Sequence, residues 1–144
     1  MKKIFIATTF VAALAVTSFW ILNSETIDGE SQKTTLAKGK PLVSISVPPL
    51  DGEADIGRKI FENNCAACHG ENGVGSDGFG PPLIHPIYKP SHHPDESFQR
   101  AASAGVRSHH WRFGNMPPIN GLSRSDVALV ITYIRHIQRA NGIN

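Results

Sequence analysis

The chain has 144 residues, 40% of them hydrophobic and 18% charged, which fits one compact domain with a tail and excludes a disordered polyelectrolyte or a coiled coil. Lys and Arg number 14 against 12 Asp and Glu; setting aside Lys2 and Lys3 balances the signs and removes any electrostatic case for nucleic acid as a partner. With 13 Gly and 10 Pro the chain is loop-rich, and its two cysteines, Cys65 and Cys68, are too few and too close together for a disulfide framework.

At the N-terminus, Met1-Lys2-Lys3 precedes the uncharged run Ile4 to Leu22. Ala13-Leu14-Ala15 suits a signal-peptide cleavage site behind a short apolar stretch. The run nevertheless continues to Leu22, reaching the length of about 20 residues that spans a bilayer, with Trp20 where an interfacial aromatic belongs. Residues 1–22 are therefore expected to be a signal sequence or an uncleaved anchor helix, and the anchor is the reading carried forward. In either case Lys2 and Lys3 hold the N-terminus on the cytoplasmic side and send the remainder to the outer side. Cleavage would instead leave a soluble periplasmic protein.

Residues 23–50 turn to Ser, Thr, Lys, Gly and Pro without helical periodicity and predict a flexible linker with a root-mean-square reach of about 25 to 30 Å. Within it Leu42 to Val47 alternates like a strand, although a single short strand makes no sheet.

The domain proper is expected over 51–144, with three helices. The first, over 55–64, puts Ile56, Ile60 and Phe61 on one face, with Gly57 letting another helix come close. The second runs over 94–104, opening on Pro94-Asp95-Glu96 and closing at Gly105. The third has a capping box in Ser123 and Asp126, a staple between Leu122 and Val127, an apolar stripe through Val130, Ile131, Ile134 and Ile137, and a stop at Asn141-Gly142. Gly70 to His93 reads as loop. Three short helices on such long loops bury too little apolar surface to stand alone, so a bound group is expected to complete the core.

Cys65-Ala66-Ala67-Cys68-His69 supplies that group, since CxxCH is the attachment motif of c-type haem. Two thiols at this spacing match the two vinyl groups, and the adjacent imidazole of His69 becomes the proximal iron ligand. A zinc site would need a second cysteine pair, and a thioredoxin-type CxxC would need a βαβ setting; the chain offers neither. For the distal position, Met116 lies in the rigid loop Phe113-Gly114-Asn115-Met116-Pro117-Pro118 and is the expected ligand, with His85, His92, His93, His109 and His110 as competitors. The pairs His92-His93 and His109-His110 also suggest a second metal site, for instance for copper. Adjacent residues point in different directions, so each pair is expected to offer one useful ring, and capping or simple exposure are the plain alternatives. Trp111 and Arg112 are candidates to hold a haem propionate, with an ordinary core contact for the Trp as the alternative.

Over 51–144 the chain resembles the class I c-type cytochromes. The resemblance rests on CxxCH, on Gly57 and Phe61 eight and four residues before Cys65, on Tyr133 in the last helix, on Gly80-Pro81-Pro82-Leu83 and on Met116 within Met-Pro-Pro. It implies an all-α fold of three main helices and long loops wrapped around one covalent haem c, with helices one and three crossing at Gly57 and Tyr133. It further implies thioethers at Cys65 and Cys68, a Pro81 carbonyl accepting the Nδ1 proton of His69, Leu83 packed on the haem, and Met116 on the distal side. The implied function is electron transfer without catalysis, and the N-terminal segment puts it at the outer face of the bacterial cytoplasmic membrane. The partners would be redox proteins of the periplasm or inner membrane. The inserted stretch Ile84 to Pro90 and the histidine pairs depart from the family pattern. Two alternatives of other classes are a haem-based ligand sensor with an open or labile sixth position and a copper-binding module.

Charge is divided unevenly along the domain. From 51 to 99, eight acids outnumber Arg58, Lys59 and Lys89, whereas from 100 to 144 six arginines face Asp126 alone. Gathered in space, the arginines would steer an acidic partner; interleaved, the halves would cancel.

Overall fold

The computed structural model describes residues 39–144, so the expected anchor over 1–22 and the greater part of the expected linker lie outside the described residues. Four α-helices form there: α1 (Gly52–Asn64), α2 (Ala66–His69), α3 (Asp95–Ala104) and α4 (Arg124–Ala140), with short 3-10 turns at Glu71–Gly73 and Pro86–Tyr88. No strand forms among the described residues; two isolated antiparallel bridges join Ser76 to Gly80 and Val106 to Met116. The three longer helices fall where the sequence places them, and α2 is the single turn of the CxxCH motif itself.

The frame is the crossing of α1 and α4. A side chain at Gly57 would bring its Cβ within 2.0 Å of the Leu129 carbonyl oxygen and 3.0 Å of Tyr133 Cβ, so only glycine lets the two backbones meet. Beside this contact Phe61 and Tyr133, both fully buried, pack with ring centroids 5.6 Å apart. Tyr133 also donates to Asn72 Oδ1 at 2.8 Å, tying α4 to the turn behind α2. α4 begins with the expected capping box: Ser123 Oγ accepts from the Asp126 amide at 3.2 Å, and Asp126 Oδ2 accepts from the Ser123 amide at 2.9 Å. The stripe on α4 is buried through Val127, Val130, Ile131, Ile134 and Ile137, as its spacing predicts.

Two expectations are corrected. Ile56, assigned to the buried face of the first helix, is 49% exposed, and the buried positions of α1 are Ala54, Gly57 and Phe61. The helix turns so that glycine, not isoleucine, meets α4. The linker reading also fails for 39–50, which lies along the domain. Leu42 and Val43 amides both donate to the Val74 carbonyl, the Asp77 amide donates to Lys40 O at 2.9 Å, and the Gly39 amide donates to Ser76 Oγ at 3.0 Å. Further on, Ser46 and Asn141 exchange two hydrogen bonds of 2.9 and 2.8 Å, and Ile45 and Leu50 pack on the core. The alternating stretch Leu42 to Val47 thus bends at Leu42 and Val43 and pairs with no strand; its Leu42 and Val43 amides share the Val74 carbonyl, and Ser46 is satisfied by Asn141.

Arg135 completes the packing from the far side of α4. Its side chain is 8% exposed and donates to Asp95 Oδ1, to the carbonyls of Tyr88 and His93 and to Gln138 Oε1, while its guanidinium lies 4.9 Å from the Phe98 ring centre. Gln138, fully buried, donates to the Leu83 carbonyl at 2.8 Å. One arginine therefore fastens α3 and the loop over 84–93 to α4.

Candidate haem site

Between the helix crossing and the loops over 84–93 and 105–119 lies a cavity of about 590 Å³, within the range of pockets that enclose most of a bound organic group. One wall is built by α1 and α2, which bring Phe61, Cys65 and His69 to its surface together with Pro81 and Leu83. Backbone bonds from the His69 and Cys68 amides to the Cys65 carbonyl, 2.9 and 3.2 Å, wind the motif into its turn. Cys65 is half-buried and Cys68 exposed, and the two are not joined in a disulfide. Burial, with a smaller contribution from Cys68, pushes the Cys65 thiol up to about 11, the condition of a protonated thiol rather than of a redox-active thiolate.

His69 Nδ1 donates to the Pro81 carbonyl at 2.9 Å. Because a carbonyl can only accept, the proton is on Nδ1 and the lone pair is left on Nε2, the tautomer a metal requires. Burial holds this imidazole below its ordinary pKa, partly offset by the Pro81 bond, which keeps it neutral and able to ligate. Local packing explains the placement of Pro81. A Cβ on Gly80 would lie 2.7 Å from the Cys68 carbonyl, so the glycine lets the Gly80-Pro81 segment pass directly over the motif. Leu83, 9% exposed, is fixed on the same wall through its amide bond to Gly73 O at 2.7 Å.

The loop over 105–119 carries Met116, half-buried and lining the same cavity. Reciprocal backbone bonds of 2.9 Å to Val106 pin its position in an otherwise irregular loop. Of the competing histidines, His85 uses Nδ1 to accept from the Ile87 amide at 3.2 Å, which leaves it a protonated Nε2 with no free lone pair. His92, His93, His109 and His110 gather with one another at the rim of the cavity. Trp111 also lines the cavity, packed edge-on against His85 at 5.2 Å, and its Nε1 is buried without a hydrogen-bond partner. Burial raises the Tyr88 phenol and the nearby Trp111 indole offsets part of that rise, but the two groups do not meet hydrogen-bond geometry. Arg112, proposed beside Trp111 as a propionate partner, is exposed and does not line the cavity, whereas Arg100 does.

Sequence reasoning missed Tyr88 and Arg100 in the cavity lining, and Arg135, which lies outside the lining and holds the carbonyls of Tyr88 and His93. The available signal for Arg135 was its place with Gln138 inside the apolar stripe of the last helix, where a charged side chain must find buried partners.

A cavity between helices and loops, lined by the Cys65 thiol, a neutral imidazole and a thioether, with Cys68 exposed one helical turn from Cys65 and an unpaired buried N–H awaiting an acceptor, fits a covalently attached haem; its chemistry is that of a haem-based electron-transfer protein. The cytochrome c family model matches residues 54–138, and the chain belongs to that family. No curated protein and no solved structure matches it.

Proposed function

We propose that this cytochrome c is of the class I type, with one haem per chain ligated by His69 and Met116, and that it carries single electrons between redox proteins at the outer face of a bacterial cytoplasmic membrane. The observation that carries the reading is the pairing of His69, neutral and oriented by Pro81, with Met116 across one cavity. The bound haem would supply a one-electron iron couple, and the residues around it determine its stability and potential. Cys65 and Cys68 would hold it through thioethers. Met116, pinned at both backbone atoms, needs no loop rearrangement to stay in place. Trp111 Nε1 offers a buried donor, and Arg100 a cation, to carboxylates at the edge of the group.

The membrane assignment rests on Lys2, Lys3 and the uncharged run Ile4 to Leu22. Among the described residues no helix is long and apolar enough to cross a membrane.

Met116→Ala tests the reading. Voltammetry should register a lower reduction potential, and carbon monoxide or imidazole should bind the variant far faster than the parent, since the thioether that favours the reduced iron is lost. An unchanged potential would move the sixth ligand to a histidine, and rapid carbon monoxide binding by the parent would favour the ligand sensor. In cell fractions, the haem-staining band should resist carbonate washing and require detergent for release; a soluble band starting at Val16 would replace the anchored protein by a diffusing one.

A further inference from the structure

We propose that His92, His93, His109 and His110 form a second metal site, for a late first-row divalent ion and for Cu(II) in first place, at the rim of the haem cavity. The two pairs are remote in sequence and come from separate loops, yet the ligand atoms of His92, His93 and His110 all lie within 4.8 Å of one another. His109 joins them with its ring centre 4.2 Å from that of His110 and stacked on His93 at 6.1 Å. Binding at metal–nitrogen distances of about 2.0 Å places cis nitrogens about 2.8 Å and trans nitrogens about 4 Å apart in the tetragonal arrangement of Cu(II), so side-chain rotations closing the widest gap among His92, His93 and His110 by about 1 Å would bring these three rings onto one ion.

The loops hold the rings for this purpose. His92 and His93 sit on a turn whose amides both bond Lys89 O, at 2.9 and 2.8 Å. His109 and His110 lie within the loop closed by the Val106 and Met116 bridge and braced by the Ser108 amide on Asn115 Oδ1 at 2.9 Å. His93 Nδ1 donates to Ile87 O at 2.6 Å and His109 Nδ1 donates to Arg107 O at 2.9 Å. Each bond fixes the tautomer that leaves Nε2 free, as carbonyl partners do for histidines bound to metals. His93 is held further by Arg135, whose guanidinium bonds its carbonyl.

Imidazoles without a carboxylate among them suit copper, zinc or nickel and exclude calcium or magnesium, and copper stands highest in the affinity order. His92, His109 and His110 are exposed, so an ion reaches the site from solvent. The ligand set includes neither His69 nor Met116, the two residues proposed for the iron.

The test uses the untagged, haem-loaded full chain in detergent, titrated with CuCl₂ and followed by electron paramagnetic resonance and calorimetry. One equivalent of Cu(II) should bind with hyperfine structure from at least three nitrogens, and it should displace Zn(II). The double variant His92→Gln with His110→Gln should weaken binding by about 100-fold or more, while His136→Gln, outside the cluster, leaves it unchanged. The haem absorption spectrum and the effect of Met116→Ala should be the same in parent and double variant, which separates failure of this site from failure of the iron ligation above. Equal copper affinity in the double variant would overturn the site, and tighter zinc than copper binding would overturn the choice of metal. A changed haem spectrum in the double variant would make these histidines iron ligands and overturn the proposal as a separate site.

Discussion

The two walls of the cavity are built by different means. The wall bearing Cys65 and His69 stands on crossing helices, which bring Gly57 against Leu129 and Phe61 against Tyr133. The wall bearing Met116, Trp111 and the histidines is loop, held by one backbone bridge, a few side-chain bonds to carbonyls and the reach of Arg135 from behind. Helical periodicity makes many residues cooperate in one contact, so the first wall is redundant in its supports; in the second, single residues carry whole segments.

Substitutions can break this contrast at either wall. The largest effect is expected at Gly57→Leu, where the new side chain has no room against the Leu129 carbonyl and the crossing must open; the loss should be about 3 kcal/mol or more in urea denaturation of the haem-loaded protein. Wild-type stability in this variant would mean that the helices do not depend on close approach. Next comes Arg135→Met, which keeps an apolar stem but removes the guanidinium from Phe98, leaves the His93 carbonyl without its Arg135 donor and leaves the Tyr88 carbonyl only the 3.4 Å bond from Gln138, at a cost of about 2 to 4 kcal/mol. Hydrogen exchange should locate the loss in 84–93 rather than in α1; uniform loosening would show that the loop wall is not separately held. The smallest is Ser123→Ala, which removes half of a capping box on a helix already secured by its stripe and should cost about 1 kcal/mol by thermal unfolding. A loss as large as that at Gly57 would reverse the ranking of packing over capping.

The same contrast decides what could be read from the sequence. The helices, the cap at Ser123 and the stop at Asn141 were legible because each is a local pattern with a fixed period or spacing, whereas the meeting of Gly57 with Tyr133 was implied by resemblance to a family. The approach of Pro81 to His69 was implied by resemblance to a family and not by spacing, since nothing in a proline-rich loop reports where its carbonyl points. Ile56 was misplaced because an apolar side chain and a glycine compete for one face, and contact distance, not hydrophobicity, chose the glycine. The strap over 39–50 was missed because its bonds go to carbonyls and to Asn141, which leave no compositional trace. The gathering of four histidines depends on two loops meeting, and adjacent pairs in sequence said only that rings were available. The uneven division of charge is partly undone in space, with Arg124 on Glu96 and Arg135 on Asp95 joining the basic half to the acidic one.

The strap also determines how the domain would bear mechanical load. A pull arriving from the N-terminal side acts first on Gly39 and Lys40, whose bonds to Ser76 and Asp77 lie beside the loop behind the CxxCH turn. Next in line are the bonds of Leu42 and Val43 to Val74, and then the paired bonds between Ser46 and Asn141, which carry tension to the far end of α4. Only after these have parted would force enter α1. The strap is thus a strain relief, whose bonds yield one after another before any tension reaches the helix crossing that positions His69.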